Sequence, residues 1–397
     1  MRLRAAGLGA ALAGAALAGC MPPAADIERS VVQAEPATAP EAATQPLFRT
    51  YQRAVGVPMR VKSSTAVGLA EPGRPLAAQD PARIASISKY IVLLGVLRLV
   101  EAGTLDLDRD VNAWLDWDVQ SPSGQPVTLR HLLSHRSGLT DANGYVVPLG
   151  TDLATFLGAE SWNGAAPGER FEYSNLGFAV IASTVEAATN ERFDTVMQRE
   201  VMTPLGLDIC FNWGGCRPDT RARGVELRAP DGTRLRDDFT ERMATCQVYR
   251  QSGPPCDLSG YRPGANGSLF SPQGGVRASA VDLARIGGEV LDPDSEFLSD
   301  ESWLLLFAAE PTGDPIIRCF GLGVEQIGGA CGNDLFGDGR VRFGHAGDAY
   351  HVRSGLWMDA AAGEAVAYVL TGVPSEAGDE PKPFSEAEIL AARGLIP

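Results

Sequence analysis

The stretch RIASISKYIVLLGVLRLVEAG, residues 83–103, constrains this chain more than any other part of it. Over residues 90–100 only Gly95 and Arg98 interrupt an apolar run that leaves no polar face. A helix that is hydrophobic all round must be enclosed by other elements, so the fold has to build a core around it. The chain, 397 residues long and 45% hydrophobic, has enough material for one large domain or two. Gly103 supplies the helix stop. At the other end Ser86, Ser88 and Lys89 set a polar cluster, with a charge in it, where burial begins. If the helix starts near Ser86, Lys89 lies one turn on and on the same face, within reach of the Ser86 hydroxyl. A serine hydroxyl becomes a nucleophile when a neighbouring base takes its proton, and a lysine can be that base once burial lowers its pKa toward neutrality. The helix N-terminus adds free N–H groups that suit an oxyanion forming beside Ser86. On a solvent-exposed helix the same spacing would be only a surface serine beside a snorkelling lysine.

The first residues carry an address. MRLR is basic, AAGLGAALAGAALAG is apolar but short for a bilayer, and its last residues, Leu17, Ala18 and Gly19, lead directly into Cys20. This resembles a bacterial lipoprotein signal, residues 1–20, whose cleavage before Cys20 would leave that thiol to be acylated. The expectation is a protein held by lipid on the extracytoplasmic, periplasmic side of a membrane, with residues 21–46, rich in Pro and Ala, as a flexible tether. A net charge of −15, with no basic run after the first four residues, argues against nucleic acid as a partner. Giving Cys20 to lipid leaves Cys210, Cys216, Cys246, Cys256, Cys319 and Cys331, three close pairs along the chain. We expect disulfides Cys210–Cys216, Cys246–Cys256 and Cys319–Cys331, each clipping a loop at about 2 to 3 kcal/mol in the chain-entropy model. The spacings lack the CxxC pattern usual for zinc.

The remainder, residues 47–397, alternates helix and strand signals. VTLRHLLSHRSGL reads as a helix capped by Thr128, and residues 177–207 as two more helices ended by Pro204. Residues 208–275 are rich in Cys, Gly, Pro and charge, a long irregular excursion. Ser279 with Asp282, and Ser385 with Glu388, open two further helices through capping boxes. GLGVEQI, RVRFGHAG, VRSGLWMD and EAVAYVLTG alternate as antiparallel strands. These patterns predict an α/β (α+β type) body: a mostly antiparallel sheet flanked by N- and C-terminal helices, with a helical lobe and Cys-rich loop inserted over about residues 105–275.

Two later stretches change the weight of Ser86-x-x-Lys89. Tyr173, Ser174 and Asn175 form a YxN sequence before a helix, and His345, Ala346 and Gly347 stand where an edge strand would begin. SxxK, YxN and a Lys-or-His/x/Gly triplet in that order resemble the serine β-lactamase and penicillin-binding protein superfamily. PGERFEYSNLGFAVIASTVE, VMTPLGL and GGVRASAVDLARI look most like its class C β-lactamase-like branch, which includes family VIII esterases, D-aminopeptidases and DD-carboxypeptidases. The resemblance covers about residues 75–375; before Arg83 the family's opening helix and hairpin look shortened.

The resemblance implies a β-lactamase/transpeptidase-like fold and a serine hydrolase without metal or organic cofactor. It makes Ser86 the nucleophile that forms an acyl-enzyme and Lys89 its deprotonating partner. Tyr173 would work with Lys89 as base and then as acid, holding phenolate character beside the cationic lysine. Asn175 would bond the lysine and the substrate amide, and the N–H groups of Ser86 and Asp348 would form the oxyanion hole. Gly347 would leave room for substrate against its strand. His345 stands where β-lactamases and transpeptidases have Lys; a mostly neutral imidazole grips a substrate carboxylate weakly, and Asp348 adds negative charge. A carboxylester or a D-amino-acid amide or peptide is therefore the expected substrate, a β-lactam or DD-peptide the alternative, and a catalytically idle binding or sensor lipoprotein the alternative of another class. No glutamate is assigned as a separate deacylation base. His131 and His135, at i and i+4, read as a pair bracing a turn rather than metal ligands. His351 has no evident partner, and Trp213 and Tyr249 are either rim residues or buried loop anchors.

Overall fold

A computed structural model of the chain describes residues 46–235, 257–375 and 382–396. The signal with Cys20, all but the last residue of the tether, the Cys246–Cys256 pair and Tyr249 lie outside the described residues. The apolar run forms α1, Ser88–Glu101, entered through a 3-10 turn at Ala85–Ile87, so the α-helix begins two residues after Ser86. Residues 87–97 are all buried. Around it lie α2, Leu129–Leu133, capped by Thr128, and α3, Leu176–Thr189, whose central residues are equally enclosed. Short helices at Leu153–Phe156 and Phe193–Met197 join them; the latter passes into a π turn, Gln198–Met202, instead of continuing as the regular helix its pattern suggests.

The sheet has eight strands. They are β1 Thr50–Val57, β2 Arg60–Val67, β3 Glu310–Pro311, β4 Cys319–Phe320, β5 Glu325–Ile327, β6 Arg342–Ala349, β7 Val352–Asp359 and β8 Glu364–Thr371. Their order is β2-β1-β8-β7-β6-β5-β4-β3, every neighbour antiparallel. The N-terminal hairpin thus closes onto the C-terminal meander. Its strands are eight residues each. Neither strand shows period-two alternation: β1 is covered on both faces, and β2 is exposed on most of both.

The period of two along the central strands separates two cores. One face carries Ala54, Leu356, Met358, Ala365, Ala367 and Val369 into the core shared with α1 and with α4, Ala280–Val290. The other carries Tyr51, Trp357, Tyr368 and Leu370 against α5, Glu386–Arg393. Both helices begin with the expected capping boxes, Ser279/Asp282 and Ser385/Glu388. The Cys-rich excursion is not wholly irregular: Cys210–Phe211 and Ala82–Arg83 flank Val276–Ala278 in a small antiparallel sheet. That sheet leads directly into the turn bearing Ser86. Because Leu94 is fully buried at the middle of α1, Leu94→Ala should lower unfolding stability by about 2–5 kcal/mol in urea titration, with the slope unchanged.

Candidate active site

The turn before α1 is held from three sides. Ile84 N–H donates to Val276 O at 3.2 Å, and Ser354 Oγ of β7 donates to Ile84 O at 2.8 Å. Ser88 Oγ donates to Ala85 O at 2.7 Å and accepts from Val276 N–H at 3.0 Å. These bonds keep Ala85 at a φ of +48°, a left-handed backbone that alanine rarely adopts. Ser86 follows at once, half-buried, facing a cavity of about 510 Å³.

Lys89 is fully buried, and its Nζ has three neighbours: Ser86 Oγ at 3.1 Å, Asn175 Oδ1 at 2.8 Å and Gln273 O at 2.8 Å. Burial lowers its pKa to about 7, against the carboxylate of Asp141, which raises it. As an ammonium it donates to all three. As an amine it has two protons for the two carbonyl oxygens, which leaves its lone pair for the Ser86 hydroxyl.

Asn175 is fixed by a residue that the sequence does not single out. Asp141 accepts from Asn175 Nδ2 at 2.8 Å, Asn175 N–H at 3.0 Å, Leu176 N–H at 2.9 Å and Ser174 Oγ at 3.1 Å. It therefore caps α3 from a distant loop and orients the amide that receives Lys89. Tyr173, just before, lies with its ring 4.8 Å from Lys89 Nζ and stacks on His135, with centroids 4.2 Å apart. Burial pushes the phenol well above its ordinary pKa; a hydrogen bond with Ser86 opposes this, and Glu325 and Asp141 reinforce it. The expected phenolate is thus corrected. Desolvation acts on both groups against charge, so at neutral pH Tyr173 keeps its proton and Lys89 is the group near balance.

His345 lies in the middle of β6 rather than at its start. β5 pairs with β6 only as far as Gly344, so among the described residues no strand pairs with residues 345–349 on that edge, which lines the same cavity as Ser86. Tyr350 and His351, at φ of +55° and +59°, make a two-residue turn closed by the Ala349–Val352 pair. In such a hairpin the bonded pairs alternate, which turns the N–H of Asp348 away from β7 and toward the free edge. The Asp348 carboxylate pairs with Arg353. Gly347 is required by the protein's own packing: a Cβ there would come within 2.2 Å of Ser354 Oγ and 2.4 Å of Ile84 O. This contact between β6 and the serine turn gives Gly347 a structural reason besides the room it is expected to leave for substrate. His345 is buried, and burial first, then Lys89, lowers its pKa to about 3. Its Nδ1 bonds Ala346 O at 2.5 Å, while Nε2 has no hydrogen-bond partner among the described residues.

The other candidates take structural places. His131 Nδ1 accepts from Thr128 N–H, and His135 Nδ1 from Ser174 N–H. Among the described residues no cluster of His, Cys, Asp and Glu could hold a metal. His351, which looks partnerless in sequence, bonds Val373 O through Nδ1 at 2.9 Å. Trp213 is a buried loop anchor beside the Cys210–Cys216 disulfide. Cys319 is bonded to Cys331. Sequence reasoning missed Asp141, the Gln273 carbonyl and Glu325, which lines the cavity with Ser86, Tyr173 and His345. A lone Asp in a turn-rich stretch and a Glu on a three-residue strand carry no local signal.

A family model described as Beta-lactamase matches residues 50–391. Esterase EstB of Burkholderia gladioli is 30% identical over 286 residues, 61% of this chain and 69% of the esterase. Among solved structures, a class C beta lactamase from Rhodobacter sphaeroides superimposes with a TM-score of 0.62 at 16% identity, over 88% of this chain and 93% of that one. A D-amino acid amidase from Ochrobactrum anthropi SV3 gives a TM-score of 0.61 at 20% identity, over 88% and 90%. These two likenesses concern the fold. Asp141→Ala would leave four donors at the head of α3 without their acceptor; we expect a stability loss of about 1–3 kcal/mol, read as a lower thermal midpoint.

Proposed function

The chain belongs to the beta-lactamase family, and on that premise we propose that it is a serine hydrolase acting through an acyl-enzyme on Ser86, with a carboxylester or a D-amino-acid amide as substrate. The observation that carries the reading is the three-point seating of Lys89, whose lone pair, once the amine is neutral, is left for the Ser86 hydroxyl. In the first half-reaction Lys89 takes the Ser86 proton as Oγ bonds the substrate carbonyl carbon, and the N–H groups of Ser86 and Asp348 receive the negative oxygen. As the bond to the leaving group breaks, Tyr173 gives that group its phenolic proton and is reprotonated from Lys89. Both side chains then stand as they began. Water completes the second half-reaction: Lys89 takes its proton, the oxygen bonds the acyl carbon, and Ser86 departs with the proton returned.

His345 supports esters and amides over β-lactams. A buried neutral imidazole presents no permanent cation to the carboxylate that β-lactams and DD-peptides carry. We further propose that Cys20 is acylated and that the protein is held on the periplasmic side of a membrane; the lipobox pattern Leu17-Ala18-Gly19-Cys20 is what supports this.

Labelling of the full chain with a fluorophosphonate should depend on Ser86 and be lost in Ser86→Ala. Labelling that persists without Ser86, or never occurs, would favour the reading of an idle binding lipoprotein. Because burial lowers Lys89 to about 7, the labelling rate should climb about tenfold per pH unit below that value and level off above it. A short-chain p-nitrophenyl ester and a D-alanine p-nitroanilide should both be turned over faster than a chromogenic cephalosporin; dominant cephalosporin turnover would defeat the argument from His345. For the anchor, palmitate incorporation in bacterial cells should vanish in Cys20→Ala.

A further inference from the structure

Resting on the acyl-transfer reading of Ser86, we propose that Glu325 is the receptor for a charged amino group of the substrate, so that preferred substrates carry an ammonium near the bond that is cleaved. Glu325 lies on β5, and its side chain belongs to the face of the sheet covered by α5, as does Ile327 two residues on. It is 5% exposed and lines the same cavity as Ser86, Tyr173 and His345. Among the described residues its carboxyl has neither a hydrogen bond nor an ion pair.

The other charged side chains of that cavity differ in this respect. Asp348 is paired with Arg353. Glu388 accepts from Ser385 N–H and Oγ at 2.9 Å each and from Tyr368 at 3.3 Å, and lies 3.7 Å from Arg353. Lys382 is exposed. Glu325 is thus a buried polar group with its acceptor capacity unused and aimed into the space where substrate must sit.

Burying a carboxyl without a partner is costly, and the cost selects what can approach it. Burial first, then Glu388 and Asp314, raise the Glu325 pKa to about 8. A substrate carboxylate placed there would meet these like charges and a neutral His345. An ammonium meets the opposite: it pairs with the carboxylate as Glu325 gives its proton to solvent. If the amine arrives neutral, the proton passes from the carboxyl to its nitrogen and none is released. Either way the product is one ammonium–carboxylate pair, formed at a side chain that is itself buried.

The test is protection of Ser86 from a fluorophosphonate in the full chain at pH 7, by D-alaninamide and by propionamide, which differ by the amino group. D-alaninamide should protect at about tenfold lower concentration than propionamide. In Glu325→Gln the two should protect at the same concentration, and labelling of the variant itself reports that it has folded. Glu325→Asp, which keeps the charge, should retain a preference of the same sign and carries the test if the Gln variant does not fold. Equal protection in the unaltered protein, or a preference that survives in Glu325→Gln, overturns the assignment while leaving the hydrolase reading intact. Absence of any Ser86 labelling overturns both.

Discussion

The arrangement turns on one buried amine. Lys89 is fully enclosed at the head of a helix with no polar face, and every acceptor around it is uncharged: a serine hydroxyl, an asparagine oxygen and a backbone carbonyl. Had a carboxylate been in direct contact, the ammonium would have been fixed and useless as a base. Asp141 is instead one residue removed, behind Asn175, where it steadies the amide and tempers the desolvation without pairing with the lysine. That spacing sets the amine near its point of balance at neutral pH. The rest of the fold serves it: α1 supplies the burial, α3 brings Asn175, and Val276–Ala278 with Ser354 pin the turn that carries Ser86.

Packing between elements that are far apart in sequence explains the strain at Ala85. The positive φ there is maintained because Ile84 is tied both to residue 276 and to β7, and because Gly347 lets β6 approach closely enough for that tie. A side chain at 347 would push the strand from the serine turn, so the placement of Ser86 and that strand edge are one construction. The edge itself exists because β5 stops pairing at Gly344.

How much of this was legible in the sequence follows the range of the interactions. The all-apolar helix, the caps at Thr128, Ser279 and Ser385, and the ordered Ser86/Lys89, Tyr173/Asn175 and His345/Gly347 stretches are local patterns, and the structure gathers those residues about one cavity. The β1–β2 hairpin escaped because one strand is covered on both faces and the other on neither, so no alternation marks it. Asp141 and Glu325 escaped because their roles come from partners or voids supplied by distant segments. The protonation of Tyr173 does not follow from a charge argument alone; desolvation, which only the fold reveals, outweighs the hydrogen bond with Ser86 that favours the phenolate.

Burial also reorders the polarity of the cavity. A histidine at position 345 could have been a partial substitute for a lysine if it were wet, but enclosure against Phe320 and near Lys89 removes its charge. The cationic corner that the order of motifs suggests is therefore empty of charge on the β6 side, while Glu325 and Glu388 stand on the α5 side. Arg353 does not restore the balance, since Asp348 and Glu388 occupy it. The same backbone that seats Ser86 beside Lys89 thus sets a neutral imidazole and an engaged Arg353 where a free cation would be needed to hold an anionic group. It is the placement of partners, more than the identity of the residues, that sets the charge of the cavity.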